Sequence, residues 1–422
     1  FKPNDNITFP SKYVVNSRKL VSNNPKYTNS KGEFYASLNS DLYCYIVMIF
    51  NVIYGDNILE INNHDSLLDD GFAVDIKEGK GMILASNERS FLLAVYECLR
   101  RLGCLFLSPI EEKIPNNRSI KDINLNFKHV CLNRYRGVAP CAPKEIDSFL
   151  DYIKWLPKVG YNTIFFEGWS NYLSYKSWYF HEENHKILPE KFSLKDAIDF
   201  DKKCISEAKK LGLMVHSMGH GWNVACVSND RYNDMFPNLN TKINYDYVAL
   251  VNGERKIPRN IIRCINLCLS NEEIKEKLIN AKENQDIDLI HFWLADGINR
   301  TCECDNCKKI SFSDQYVEIL NTLDKRLTKE KINTKIGFLM YNDTLCAPIK
   351  NKIINSNRFL MLFCPISRTY SKSFLNLKPV ETKVFDKNKV VCPTELDFFV
   401  SYLDKWKEIF DGEVVAFDYH LY

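Results

Sequence analysis

No stretch of this chain approaches the roughly 18 continuous apolar residues of a membrane-spanning helix. The longest apolar run, Tyr43 to Tyr54, is too short, so no membrane partner is expected. Neither sign of charge dominates. The 56 Lys and Arg against 53 Asp and Glu leave a net charge of +3, which gives no electrostatic case for nucleic acid or an anionic surface. The sequence opens at Phe1 without a charged segment leading into a short apolar one, so no signal peptide is expected within it. Residues 1–127 show no repeat or low-complexity segment. A disulfide framework is disfavoured: the 15 cysteines are odd in number, and Cys44, Cys98, Cys104, Cys204 and Cys364 stand singly inside apolar segments. That is the pattern of reduced core thiols, and it leans towards a reducing, cytoplasmic compartment. Nothing in the sequence addresses oligomeric state.

What is present is an α/β chain. Residues 1–127 read as a small N-terminal α/β domain. Strands are expected at Lys12 to Val15, Tyr43 to Tyr54, Gly71 to Ile76 and Gly81 to Ala85. A helix from Glu88 to Leu102, closed by Gly103, leads to a short strand ending before Pro109. Residues 128–422 alternate strand and helix, the signature of a parallel sheet. Strands are expected at His129 to Tyr135, Thr163 to Phe166, Leu213 to Ser217, Ile287 to Leu294, Lys335 to Met340, Phe359 to Phe363 and Val414 to Phe417. An irregular stretch near 223–267 breaks the rhythm as an insertion, and Ser270 is expected to cap the helix that follows. Seven units of an eightfold pattern suggest a (β/α)8 barrel that this sequence leaves before its eighth strand.

In such a barrel chemistry sits at the carboxyl ends of the strands. The residues expected there are rich in acids, aromatics and long polar side chains. The catalytic candidates are Glu167, Asp296 and Asp418. Arg134, Arg136, Trp169, His220, Trp222, Asn299, Tyr341, Tyr370 and Tyr419 are the substrate-binding candidates. Carboxylates supply acid, base or nucleophile, and aromatic faces pack on sugar rings, so a glycan is the expected partner and no cofactor is expected for catalysis. Each residue also has a plainer reading. Asp296 precedes Gly297 and Asp-Gly pairs are common in turns; Glu167 could end a strand, and the two tryptophans could close the core. His216 is expected to be structural.

Cys302, Cys304 and Cys307 fall within six residues of loop after Asp296. They read as a structural zinc site, as a redox pair or as reduced thiols without a role. Zinc needs a fourth ligand, with Cys268 the first choice and Cys264 the second. Four thiolates would leave no open position for a catalytic water.

Gly81-Met82-Ile83-Leu84-Ala85-Ser86, Ala94 to Leu99 and Leu102-Gly103-Cys104 resemble the domain that precedes the barrel in β-hexosaminidases of glycoside hydrolase family 20 and α-glucuronidases of family 67. Gly219-His220-Gly221-Trp222, Leu250 to Arg255, Leu267 to Asn271 and Ala295-Asp296-Gly297 with the three cysteines resemble glycoside hydrolase family 163. The resemblance implies an endo-β-N-acetylglucosaminidase-like activity on N-glycans, or a related N-acetylhexosaminidase activity, with substrate-assisted retention. In that mechanism the substrate's 2-acetamido oxygen is the nucleophile, one carboxylate orients it and another protonates the leaving oxygen. Asp296 matches the family's strand-four acid. Family 20 has Asp-Glu at this point, whereas Gly297 follows here, so Glu167 is the expected partner. Two other readings are a uronic acid hydrolase, with Arg134 and Arg136 holding a carboxylate, and a non-catalytic carbohydrate-binding barrel.

Overall fold

The computed structural model describes residues 50–53, 70–115, 119–131, 133–140, 146–181, 184, 186–233, 240–280, 287–375 and 377–418. The strand expected at Lys12 to Val15, most of the run from Tyr43 to Tyr54, and Tyr419 lie outside these residues. By its contacts the chain forms two units. Phe1–Val138, Pro143–Ile164 and Lys202–Met214 make the first; Ala139–Ala142, Phe165–Asp201 and Val215–Tyr422 make the second. Both are discontinuous in sequence.

In the first unit β1 (Phe50–Ile53), β2 (Gly71–Lys77) and β3 (Lys80–Ala85) are followed by helix α1 (Glu88–Arg101). Asn87 caps the helix, its side chain accepting the Ser90 N–H at 2.8 Å. Next come the hairpin β4 (Leu105–Ser108) and β5 (Glu111–Lys113), then β6 (Leu125–Val130), β7 (Gly137–Val138) and α2 (Ile146–Trp155). The sheet order is β1-β3-β2-β6. In β2, buried Val74 and Ile76 alternate with exposed Asp75 and Lys77, the period-two pattern of a sheet with one covered face. Phe72, Val74, Ile83, Leu93, Ala94 and Leu99 form the core between sheet and helix.

Two expectations need correction here. The strand expected over His129 to Tyr135 lies earlier, as β6, and runs antiparallel to β2, with Phe72 opposite His129. Its residues alternate between half-buried and exposed along most of their length, which suits an antiparallel strand with one wet face. The first strand of the parallel series is instead the two-residue β7, Gly137 opposite Thr163. The strand before Pro109 joins neither sheet but pairs with β5.

The first unit is pinned by Asp70, which is fully buried. Arg89 Nε (2.9 Å) and Ser90 Oγ (3.1 Å) donate to Oδ1, and Arg136 Nη2 (2.6 Å) and Asn162 Nδ2 (2.7 Å) donate to Oδ2. Burial works against the charge, but the Arg89 and Arg136 guanidinium groups and Asn162 outweigh it and hold the carboxyl below its ordinary range.

The rest of the parallel series is β8 (Thr163–Glu167), α3 (Tyr172–Tyr179), α4 (Leu194–Lys210), β9 (Met214–Gly219), α5 (Trp222–Val227), α6 (Glu272–Asn280), β10 (Leu289–Phe292), α7 (Phe312–Lys329), β11 (Lys335–Met340), β12 (Phe359–Phe363), α8 (Leu396–Lys407) and β13 (Glu413–Ala416); β8, α4 and β9 are divided between the units and the others belong to the second. The fold is mixed α/β, with a seven-stranded parallel sheet in the order β13-β12-β11-β10-β9-β8-β7. No eighth strand occurs among the described residues. β12 is buried throughout and β11 nearly so, as continuous apolar runs covered on both faces require. Among them Phe338 packs between Phe359, Trp406 and Phe410. The 223–267 stretch is α5 followed by short 3-10 turns and isolated bridges, Val248 opposite Leu267 among them. Ser270 is not the cap of α6: Asn271 Oδ1 accepts the Glu273 N–H at 2.9 Å. No described helix is long and apolar enough to cross a membrane.

Candidate active site

Parallel strands deliver all their carboxyl ends to one side. Within the second unit a continuous row of side chains runs along those ends. Glu167 closes β8, and Gly219 closes β9 with φ +97°. A Cβ on Gly219 would come within 2.9 Å of the Phe165 ring, 3.1 Å of Glu167 Cγ and 3.2 Å of Trp293 Cε3. Only glycine therefore lets Glu167 and Trp293 flank this strand end. The Trp293 indole stands edge-on to His220, ring centroids 5.2 Å apart. His220 Nδ1 donates to the Leu294 carbonyl at 2.8 Å, and its Nε2 is 4.0 Å from Asp296 Oδ1. Tyr341 OH donates to the same oxygen at 3.2 Å. Burial, then the Asp296 charge, push the Tyr341 phenol upward, so it stays protonated and remains a donor.

The backbone closes the loop from Asp296 back to Glu167. Asp296 N–H donates to the Arg263 carbonyl at 3.0 Å, and Arg263 Nη2 lies 3.7 Å from Glu167 Oε1. The two carboxylates keep side-chain exposures of 37% for Glu167 and 35% for Asp296, enough to meet a ligand. The structure thus brings Glu167, His220, Asp296 and Tyr341 into one connected group. It adds Trp293 and Arg263, which sequence reasoning missed. Trp293 directly follows the strand residues and carried a visible signal in its position. Arg263 lies in the irregular insertion, where no periodicity marks it.

Other expected residues are engaged elsewhere. Trp222 is 1% exposed and donates its indole N–H to the His291 carbonyl at 2.8 Å, so it is a core residue and not a sugar platform. It packs edge-on against Trp169, whose own ring lies under the Arg231 guanidinium at 4.6 Å; Trp169 keeps a half-buried place beside the site. Asn299 (φ +57°) spends its amide on the Val390 backbone, accepting at 2.7 Å and donating at 2.9 Å, so it clamps two loops and does not face substrate. Asp418 is held by both arms of Arg368, at 3.0 and 2.5 Å, and by Tyr370 OH at 3.2 Å. A carboxylate paired on both oxygens is held more tightly than Glu167 or Asp296 and is a poorer proton carrier. Tyr370 is instead half-exposed, stacked on Arg368 at 3.9 Å. Arg136 is spent within the first unit, on Asp70, Gly160 O and Asn133 O, so it is no clamp for a substrate carboxylate. Arg134 also belongs to the first unit and is half-buried. His216 is buried, with Nδ1 at 3.1 Å from His291 Nε2.

Two further features border the site. Asp343, buried, accepts the Asn299 N–H at 2.8 Å. Burial pushes its carboxyl up to about 6. It lines a cavity of about 20 Å³ with Asn266, Leu294, Gly297 and Tyr341, room for about one water. The sulfur atoms of Cys268, Cys302, Cys304 and Cys307 all lie within 4.8 Å of one another. Cys264 stands outside that group.

No family model matches the chain, and no curated protein matches it. Among solved structures it is similar to the chitobiase of Flavobacterium johnsoniae (11% identity, TM-score 0.42, covering 84% of this chain and 50% of that one). It is also similar to a β-N-acetylhexosaminidase of Bacteroides fragilis (11%, 0.42, 84% and 64%). A third is the family 89 glycoside hydrolase of Clostridium perfringens in complex with GlcNAc-alpha-1,4-galactose (11%, 0.42, 74% and 37%). The chain thus spans less than two thirds of each of these solved chains. Likeness at this level carries no argument about the site, which stands on the residues above.

Proposed function

We propose that this chain is the catalytic part of a glycoside hydrolase acting on N-acetylglucosamine-containing glycans. The activity would be endo-β-N-acetylglucosaminidase-like on N-glycans, on a (β/α)8-type barrel. The observation that carries the reading is the linked pair of half-exposed carboxylates, Glu167 and Asp296, joined through Arg263 and bordered by Trp293 and Tyr341. Acid pairs at strand ends beside aromatic rings are the equipment of glycoside cleavage. The mechanism we propose is substrate-assisted. The acetamido oxygen attacks the anomeric carbon and forms an oxazolinium ring as the glycosidic C–O bond breaks. One carboxylate accepts the acetamide N–H, the other gives its proton to the leaving oxygen, and water then opens the ring with retention.

Stepwise fluorination of the acetamido group tests this route, because each fluorine weakens the nucleophilic oxygen. The expected result is a progressive fall in kcat on aryl β-glycosides; an unchanged kcat would rule the route out. Leaving-group dependence assigns the pair. Loss of the proton donor is repaired by an activated aryl leaving group, whereas loss of the orienting carboxylate is not. Hydrolysis of an aryl uronoside in preference to the N-acetyl substrate would move the assignment to a uronic acid hydrolase. Glycan affinity with no hydrolysis would move it to a binding module.

A further inference from the structure

We propose that Cys268, Cys302, Cys304 and Cys307 bind one zinc ion as a closed tetrathiolate that fastens the loop bearing Asp296 to the insertion bearing Arg263. The four residues come from two segments 34 residues apart in sequence at the nearest, so their convergence is a product of the fold. Cys268 follows the bridge of Val248 to Leu267, its N–H bonded to the Tyr247 carbonyl at 2.9 Å. The other three lie on the loop after β10, and that loop is tied to the insertion by Glu303 N–H on the Leu250 carbonyl at 2.8 Å.

The spacing fits a metal. Cys268 and Cys304 sulfurs are 3.7 Å apart, and a tetrahedron of 2.3 Å zinc–sulfur bonds has edges of about 3.8 Å. The surroundings fit thiolates. Leu250 N–H points at Cys302 Sγ (3.4 Å), Gln315 Nε2 donates to Cys307 Sγ (3.4 Å), and Ser270 Oγ lies 3.5 Å from both Cys268 and Cys304 Sγ. Such donors orient metal-bound sulfur and offset its charge. Four thiolates around a divalent ion leave a double negative charge. The Lys387 ammonium stands beside it, donating to the carbonyls of Cys302 and Cys307 at 3.1 and 2.5 Å. On binding, each thiol releases its proton to solvent. A tetrahedral four-sulfur set selects zinc or iron among common metals. All four positions are filled by protein, so the ion is structural. Its placement of Asp296 relative to Arg263 rests on the glycosidase reading; the site itself does not.

The test is metal content of the purified chain by mass spectrometry, without any activity assay. The expected result is about one equivalent of zinc per chain, falling to below a tenth in Cys302→Ser and Cys307→Ser and unchanged in Cys346→Ser, which lies outside the cluster. Should the serine variants fail to fold, the wild-type chain is titrated with a mercurial reagent in the presence of a chromophoric chelator. Zinc should then appear as the cluster thiols are consumed. Cobalt in place of zinc should give the sulfur-to-cobalt charge-transfer bands of a tetrahedral tetrathiolate. A folded wild-type chain that carries no metal after zinc-replete expression overturns the proposal. So does a disulfide within the cluster, iron in place of zinc, or zinc retained in the two cluster variants.

Discussion

Asp70 and Asp296 are the same side chain put to opposite ends. Asp70 is fully buried and takes hydrogen bonds from two arginines, a serine and two asparagines on its two oxygens. Asp296 keeps a third of its side-chain surface open and takes one phenol, with an imidazole at 4.0 Å. A carboxylate whose acceptor capacity is saturated by fixed cations holds structure together and has nothing left to offer a substrate. One left partly unsatisfied at a strand end retains that capacity. Asp418, which the sequence placed beside Asp296, falls on the saturated side of this division.

The comparison can be broken at four points. Asp296→Asn is expected to lower kcat on an N-acetylglucosaminide by about 100-fold or more, with an unchanged melting temperature. Asp70→Asn is expected to do the reverse, leaving the site chemistry alone while destabilising the fold by about 3–5 kcal/mol, because Arg89 and Arg136 lose a buried partner. Denaturant unfolding reads this. Since the folded Asp70 carboxyl is held below 3.8, the network stabilises above that value, and its contribution is lost as pH falls through the depressed folded-state pKa.

Asp343 has the opposite sign. With its folded pKa raised from 3.8 to about 6, its stabilising contribution is present below about pH 4 and lost as pH rises through 6. Asp343→Asn should flatten that stretch of the stability profile and raise stability at pH 8 by about 1–3 kcal/mol. A profile that keeps its slope would show that another group is responsible. The smallest effect is expected from Tyr341→Phe. It removes one hydrogen bond to Asp296, worth about 1.5 kcal/mol at the low end for a charged acceptor, and should slow turnover roughly tenfold while sparing KM.

Much of the parallel series was legible because its strands are long apolar runs bounded by polar ends. Lys335–Met340 and Phe359–Phe363 form β11 and β12 at the expected bounds. The exception is β7, two residues long, too short for any periodicity, and its place was given to β6. The site was legible wherever position along a strand decides a residue's fate, as for Glu167 and Asp296. It was illegible where long-range partners decide. Trp222 lies two residues after His220 in sequence, yet it turns into the core because the His291 carbonyl, 69 residues away, takes its N–H. Arg136 and Asn299 were misread for the same reason: Asp70 and Val390 engage them across 66 and 91 residues. The sulfur cluster was half legible, three of its thiols in one short loop and the fourth only a choice between Cys264 and Cys268.

The most direct test of the central claim is hydrolysis of a biantennary N-glycan and of p-nitrophenyl N-acetyl-β-glucosaminide by the wild-type chain and Asp296→Asn side by side, with melting temperatures measured on the same samples. The account predicts wild-type cleavage within the N-glycan core, and a folded variant that has lost it. Equal rates from the two chains would contradict it.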